Sequence, residues 1–280
     1  MKEQLAIIQA LGVRSEFDAV SEIRTRIEFL KAYLVQGGQR AYVLGISGGV
    51  DSLTAGLLAQ RAVRELRESG HSATFIAVRL PYGVQADEHD AAAAVAAIRP
   101  DRVITVDIKP AADSLMDAIL AGGVDPAPRH HFILGNVKAR QRMVAQYAIA
   151  GASSGLVIGT DHAAEALMGF YTKFGDGAAD ILPLAGLNKR RIRALASKLG
   201  APEQLVWKTP TADLESDAPL RPDEDAYGVT YDQIDDFLEG RTVAPAAAER
   251  MLSAYRASAH KRALPVVPTD HHPVLQATTA

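Results

Sequence analysis

Apolar residues recur along the chain in short runs that alternate with longer stretches of helical spacing, and this rhythm lays out an architecture. Ile23, Ile27, Leu30 and Leu34 fall at steps of four, three and four, the spacing of one helix face, and Gly37 and Gly38 mark its end. The apolar run at 41–46 reads as a buried strand. It is followed by glycines and then by Ala55, Leu58, Ala62 and Leu66 at helical spacing, so the order is strand, tight loop, helix. Runs at 73–80, 102–106 and 155–159 read as three further strands, separated by helical stretches at 87–98, 115–120 and 136–150. Strands alternating with helices at this spacing predict an α/β fold, a doubly wound, mostly parallel sheet with helices on both faces. Beyond Gly175 the rhythm becomes irregular: a short apolar segment at 181–184, a basic helix at 188–199, a loop rich in Pro, Asp and Glu at 209–225, and a closing helix at 245–261. We take residues 1–264 as a single domain and expect 265–280 to form a poorly ordered tail.

Composition narrows the chemistry. With 280 residues, 48% of them apolar, the chain can bury a large core. A formal charge of -3 leaves no excess of Lys and Arg to recruit a polyanion, so extended nucleic-acid binding gains no support. There are no cysteines, which excludes disulfides, thiolate zinc sites and every mechanism with a cysteine nucleophile. The first residues lack the charge pattern and length of a secretory leader, and no window reaches 18 consecutive apolar residues. The expectation is a cytoplasmic protein without membrane contact.

The segment Gly45-Ile46-Ser47-Gly48-Gly49-Val50-Asp51-Ser52 joins the first strand to its helix, at the strand end where open parallel sheets bind ligands. Successive glycines allow positive φ and bring backbone N–H groups against phosphate oxygens, and the helix start adds a favourable dipole. Ser47 and Ser52 add hydroxyl donors. Asp51 repels phosphate unless a divalent cation lies between them, so its presence predicts magnesium. A Walker A loop requires Gly-Lys-Ser/Thr and a dinucleotide fingerprint requires three spaced glycines; neither is present. The plain alternative is a glycine turn with no ligand. Ser-Gly-Gly-Val-Asp-Ser resembles the loop of the ATP pyrophosphatases, which split ATP between its α and β phosphates and transfer AMP to an oxygen.

Further segments select a member of that group. Arg79-Leu80-Pro81-Tyr82-Gly83, Gly135-Asn136-Val137-Lys138-Ala139-Arg140, Gly159-Thr160-Asp161-His162-Ala163-Ala164-Glu165, Thr172-Lys173-Phe174-Gly175-Asp176-Gly177, Pro210-Thr211-Ala212-Asp213-Leu214 and His260-Lys261-Arg262 are similar, in order and nearly in spacing, to the ammonia-dependent NAD synthetases. The resemblance covers the chain from about Leu5 to Arg262. It implies an adenine nucleotide alpha hydrolase-like fold, and amidation of deamido-NAD by ammonia and ATP through an acyl-adenylate, giving NAD, AMP and pyrophosphate. It also implies a homodimer. A different AMP-forming enzyme, such as a tRNA-modifying one, and a regulatory module that holds ATP without reacting are the alternatives.

The resemblance assigns roles that can be set beside plainer readings. Asp51 and Glu165, each following a strand, would hold one magnesium ion; Glu165 also suits the first turn of a helix on electrostatic grounds alone. Arg79, Thr160, Lys189 and Thr211 join the glycine loop in contacting ATP, although Thr160 could simply cap the next helix and Lys189 begins what reads as a solvated basic run. Arg140, Tyr147, Lys173, Asp180, His260 and Lys261 correspond to deamido-NAD contacts. Arg140 and Tyr147, seven apart, share a helix face and could clamp a carboxylate and stack on nicotinate, or be a surface Arg and a core Tyr. Asp176 is the candidate to bind and deprotonate ammonium, with a Gly-Asp-Gly turn as its alternative. Without cysteine the chain cannot release ammonia from glutamine by the thiol route of its glutamine-dependent relatives, so its nitrogen must be free ammonia or come from a partner chain.

Overall fold

The computed structural model describes residues 2–84, 88–211 and 222–268. The acidic stretch 213–217 and the tail from 269 onward lie outside the described residues. Two N-terminal helices, α1 (Lys2–Ala10) and α2 (Ala19–Gln36), lead into the alternating part: β1 (Ala41–Gly45), α3 (Val50–Glu68), β2 (Thr74–Arg79), α4 (Glu88–Ile98), β3 (Arg102–Thr105), α5 (Lys109–Ala121), α6 (His130–Ala152) and β4 (Gly155–Val157). Short helices follow: α7 (Ala163–Met168), α8 (Lys189–Lys198), α9 (Glu203–Val206), α10 (Asp223–Tyr227), α11 (Tyr231–Leu238) and α12 (Pro245–Ala257), with a 3-10 turn at Ala259–Lys261.

The four strands form one sheet in the order β3-β2-β1-β4, every pair parallel. Its apolar runs are nearly continuous because both faces are covered, as parallel sheets require. Alternate residues go to opposite sides. Tyr42, Leu44, Phe75 and Ala77 pack with α2, α3 and α8 in the main core, whereas Ala41, Val43, Ile76, Val78 and Val157 meet Ala150 of α6 and Ile108 on the other side. The predicted doubly wound sheet is therefore the observed one, and a single parallel bridge from Ile158 to Ile181 extends it beside β4.

The C-terminal helices build a separate small core from Leu167, Tyr227, Tyr231, Ile234, Phe237 and Met251, joined by Ile7 of α1. The predicted closing helix at 245–261 is interrupted: α12 stops at Ala257, where Ser258 turns its hydroxyl back onto the Ala254 carbonyl at 2.7 Å and the 3-10 turn begins. Among the described residues no helix is long and apolar enough to cross a membrane.

Strand order reverses between β1 and β4. The chain winds outward from β1 through β2 to β3 and returns to the other side of β1 only at β4. The crevice beyond the carboxyl ends of such a pair is where open α/β sheets receive ligands, and the connections after β1 and after β4 both open onto it.

Candidate active site

The loop after β1 is tied down at both ends. The Ile46 N–H donates to the Val78 carbonyl at 2.8 Å and the Gly45 N–H to the Gln146 side chain at 2.7 Å. Gly48 has φ +86, and a Cβ there would stand 2.7 Å from the Ala91 backbone nitrogen, so the position needs glycine for both conformation and space. Gly49 differs from expectation: its φ is -79 and only the Ser47 hydroxyl approaches where a Cβ would be. Positive φ thus belongs to one glycine of the pair, and the other leaves room beside the backbone. The Ser47 and Ser52 hydroxyls lie 3.2 Å apart. Among the described residues no side chain caps α3, so the N–H groups of a 19-residue helix point into the crevice with its dipole behind them.

A cavity of about 470 Å³ occupies the crevice. Its wall includes the loop, Arg79, Thr160, Glu165, Asp176, Thr211 and Lys261 from the sequence-predicted set. It also includes Asn136, Ala139, Arg142 and Gln146 from α6, and Lys208, to which the sequence motifs assign no role. Arg79 is ion-paired with Glu88, and Lys208 meets Asp90 at 2.6 Å, which sets two cations on α4 carboxylates at the cavity wall.

Behind the loop lies a compact buried charge cluster. Lys189, the first residue of α8, is 1% exposed, and its ammonium donates to Asp51 Oδ2 at 2.8 Å while sitting 4.6 Å over the Tyr231 ring. The start of α8 is fixed from α11: Asp235 accepts from the backbone N–H groups of Lys189 and Arg190 at 3.0 and 2.7 Å. The solvated-run reading of Lys189-Arg190-Arg191 therefore fails, because Lys189 and Arg191 are both buried and Arg190 pairs with Asp236 and Glu239. Lys189 lies off the cavity wall, and its charge reaches the loop through Asp51.

His162 completes the cluster, with Nε2 at 3.5 Å from Asp51 Oδ1 and 3.4 Å from Glu165 Oε2. His162, not Thr160, is the N-cap residue of α7, so the capping alternative for Thr160 falls away. Burial alone would raise the Asp51 carboxyl, but the Lys189 ammonium holds it below the usual carboxylate value. Burial and the neighbouring Asp51 charge push Glu165 well up. Burial, reinforced by Lys189, drops His162 to about 3, so its ring is neutral. The donor set suits a divalent cation: one atom each from Asp51, His162 and Glu165 lie within 4.8 Å of one another, and both ring nitrogens of His162 are buried without a hydrogen-bond partner among the described residues.

Opposite the loop, Asp176 accepts from the Thr172 N–H at 2.8 Å, so it braces its own turn and also faces the cavity. Its carboxyl is raised by burial. Nearby Asp161 is pushed up to about 7, by burial and then by the Asp176 charge. Between the ordinary carboxylate value and about 7, the unfolded chain loses the Asp161 proton while the folded chain keeps it, so stability falls across that window and levels off above it. Asp161→Asn removes this loss. Its gain in melting temperature over the parent is expected to grow from pH 4 to about pH 7 and then stay constant; a gain independent of pH in thermal scans would contradict it.

Of the remaining predicted residues, Arg140, Tyr147, Lys173, Asp180 and His260 lie off the cavity wall. The Arg140 guanidinium donates to the Lys173 carbonyl at 3.2 Å, and Lys173 reaches the His260 carbonyl at 2.5 Å. Tyr147 is raised by burial and by the facing Asp180. Asp180 itself accepts from the Val157 N–H at 2.7 Å, anchoring β4. Lys261 alone of this group lines the cavity, with its ammonium on the Gly169 and Tyr171 carbonyls at 2.9 and 2.7 Å.

Comparison with known proteins adds an independent line. Residues 22–265 match the NAD synthase family model. A Burkholderia lata protein described as an NH(3)-dependent NAD(+) synthetase is 61% identical over 269 residues, 95% of each chain. The crystal structure of an NAD+ synthetase from Burkholderia pseudomallei superposes with a TM-score of 0.82 at 59% identity, covering 94% of this chain and 97% of that one. An NMN synthetase from Francisella tularensis follows at 34% identity and a TM-score of 0.79, covering 91% of this chain and 100% of that one.

Proposed function

The chain belongs to the NAD synthase family, and from that premise we propose that its central cavity converts deamido-NAD, ATP and free ammonia to NAD, AMP and pyrophosphate. The observation that carries this reading is the meeting of two strand ends at the switch point, a phosphate loop after β1 and a carboxylate-bearing helix after β4, around one cavity.

A nicotinate carboxylate is a poor acyl donor because oxide would have to leave. Its oxygen attacks the α-phosphorus of ATP, the bond to the β-phosphate breaks, and the loop N–H groups with the α3 dipole stabilise the departing pyrophosphate. Arg79, Lys208 and Thr211, which line the wall, are the proposed nucleotide contacts. Magnesium held by Asp51 and Glu165 would supply the charge neutralisation that the leaving group needs. Asp176 binds ammonium and takes its proton, ammonia attacks the acyl carbon, the nitrogen gives a second proton to solvent, and AMP leaves with the former carboxylate oxygen.

Arg140, Tyr147, Lys173, Asp180 and His260 are the proposed deamido-NAD contacts outside the cavity wall, with Lys261 linking them to it. A homodimer in which a second copy covers this region fits the exposed Phe132, Phe174 and Val144. We take residues 1–264 as one catalytic domain and place the protein in the cytoplasm.

Incubation with ATP, Mg2+ and deamido-NAD is expected to yield NAD with ammonium and none with glutamine, since the chain has no cysteine. Equal rates with glutamine would refute the nitrogen assignment. The corresponding mononucleotide as acceptor separates this reading from the activity named for the Francisella protein.

A further inference from the structure

His162 takes no part in the adenylation or amidation steps, yet it is 1% exposed and, among the described residues, neither ring nitrogen has a hydrogen-bond partner. A polar group buried without a partner carries its full desolvation cost, so such an imidazole marks a place where another atom belongs. Two carboxylate oxygens, Asp51 Oδ1 at 3.5 Å and Glu165 Oε2 at 3.4 Å, face its Nε2 beyond good hydrogen-bonding distance. The backbone fixes this placement. His162 has extended geometry (φ -136, ψ 170) at the N-cap of α7, and Glu165 comes three residues later, on the same side of the first turn.

The spacing fits shared coordination. Donors about 2.1 Å from one six-coordinate ion stand roughly 3 Å apart when adjacent and about 4.2 Å when opposite. The three donor atoms here fall within 4.8 Å of one another, so small side-chain adjustments suffice. The Lys189 ammonium donates to both Asp51 oxygens, at 3.1 Å to Oδ1 and 2.8 Å to Oδ2, so a cation taking Oδ1 gives up the longer bond and leaves the shorter one in place.

We propose that His162 Nε2 is a third protein ligand of the divalent cation, completing a set of one imidazole nitrogen and two carboxylate oxygens. This rests on the assignment of Asp51 and Glu165 as metal residues under the proposed function. A nitrogen donor shifts preference away from magnesium, which favours oxygen, toward the first-row transition ions. The site therefore binds Mn2+ more tightly than Mg2+.

The test uses the full chain and Mn2+, with and without a non-hydrolysable ATP analogue. Free Mn2+ is counted by its EPR signal, and bound nitrogen is read from the modulation of the electron spin echo. The expected result is Mn2+ binding that requires Asp51 and shows histidine-nitrogen modulation; His162→Gln abolishes the modulation and weakens binding at least about ten-fold. Asp51-dependent binding without nitrogen modulation in the parent protein overturns the role of His162 and leaves the carboxylate reading intact. No Asp51-dependent binding in either condition overturns both. Modulation that persists in His162→Gln also overturns the proposal, and because the parent spectrum decides by itself, misfolding of the variant does not rescue it.

Discussion

Lys189→Met is expected to destabilise the folded protein by about 3–5 kcal/mol and to lower kcat/KM for NAD formation by at least about 100-fold. The ammonium is the buried counter-ion at the loop: it donates to both oxygens of Asp51, and its charge also acts on Glu165 and Asp223. Methionine preserves the stem and the backbone N–H bonds to Asp235, so the change isolates the charge. Removing it strips Asp51 of its counter-ion in a largely buried site, where burial then drives the carboxyl up, with Glu165 close by as a second carboxyl. Urea unfolding and steady-state kinetics check both effects. A divalent cation should recover part of the lost stability, because it binds the folded state and supplies the missing positive charge. A variant as stable and as active as its parent would show that Asp51 is neutralised by something else.

Asp51→Asn is expected to have the opposite balance: pyrophosphate release falls about 1000-fold or more, whereas stability changes less than in Lys189→Met. The carboxamide retains the shape at the start of α3 but gives up the negative charge that a cation needs. Lys189 does not then lose every partner, because its charge already acts on Glu165, which ionises more readily once the Asp51 charge is gone. Paired measurements of pyrophosphate release and melting temperature separate this from a folding defect. Activity within ten-fold of the parent would exclude Asp51 from cation binding.

The parts of the fold legible from sequence are those where burial imposes a simple pattern. Strands β1 and β2 are buried on both faces, so they stand out as continuous apolar runs, and the glycines after β1 locate the loop. Helices α10 and α11 are hidden by the acidic composition around 209–225 and by their shortness, although Thr230 and Gln233 form a capping box whose spacing announces a helix start. The orientation of α6 is harder to read. Asn136, Ala139, Arg142 and Gln146 face the cavity, and Arg140 and Tyr147 do not. That helix is partly buried around most of its circumference, because it packs on the sheet while lining a cavity, so apolar spacing alone does not single out one face.

The site divides in the same way. Asp51 stands out because it closes a glycine loop just after a strand, whereas Glu165, which also follows a strand, suits a helix's first turn equally well and is singled out by the family resemblance. His162 does not stand out, since a single imidazole within Thr160-Asp161-His162-Ala163 has no periodicity to give it away, and its nearness to Asp51 appears only when β1 and β4 become neighbours. Lys208 and Arg142 escape notice for a related reason: their place on the cavity wall depends on how distant segments meet around it.

The central claim is that this cavity activates a carboxylate by adenylation before nitrogen attacks. Deamido-NAD carrying 18O in its nicotinate carboxylate, turned over with ATP and ammonium, tests it most directly. The account predicts one 18O atom in the AMP released and none in pyrophosphate, because the carboxylate oxygen becomes the bridge to the α-phosphorus and departs with it. AMP free of 18O, with NAD still formed, would contradict the acyl-adenylate.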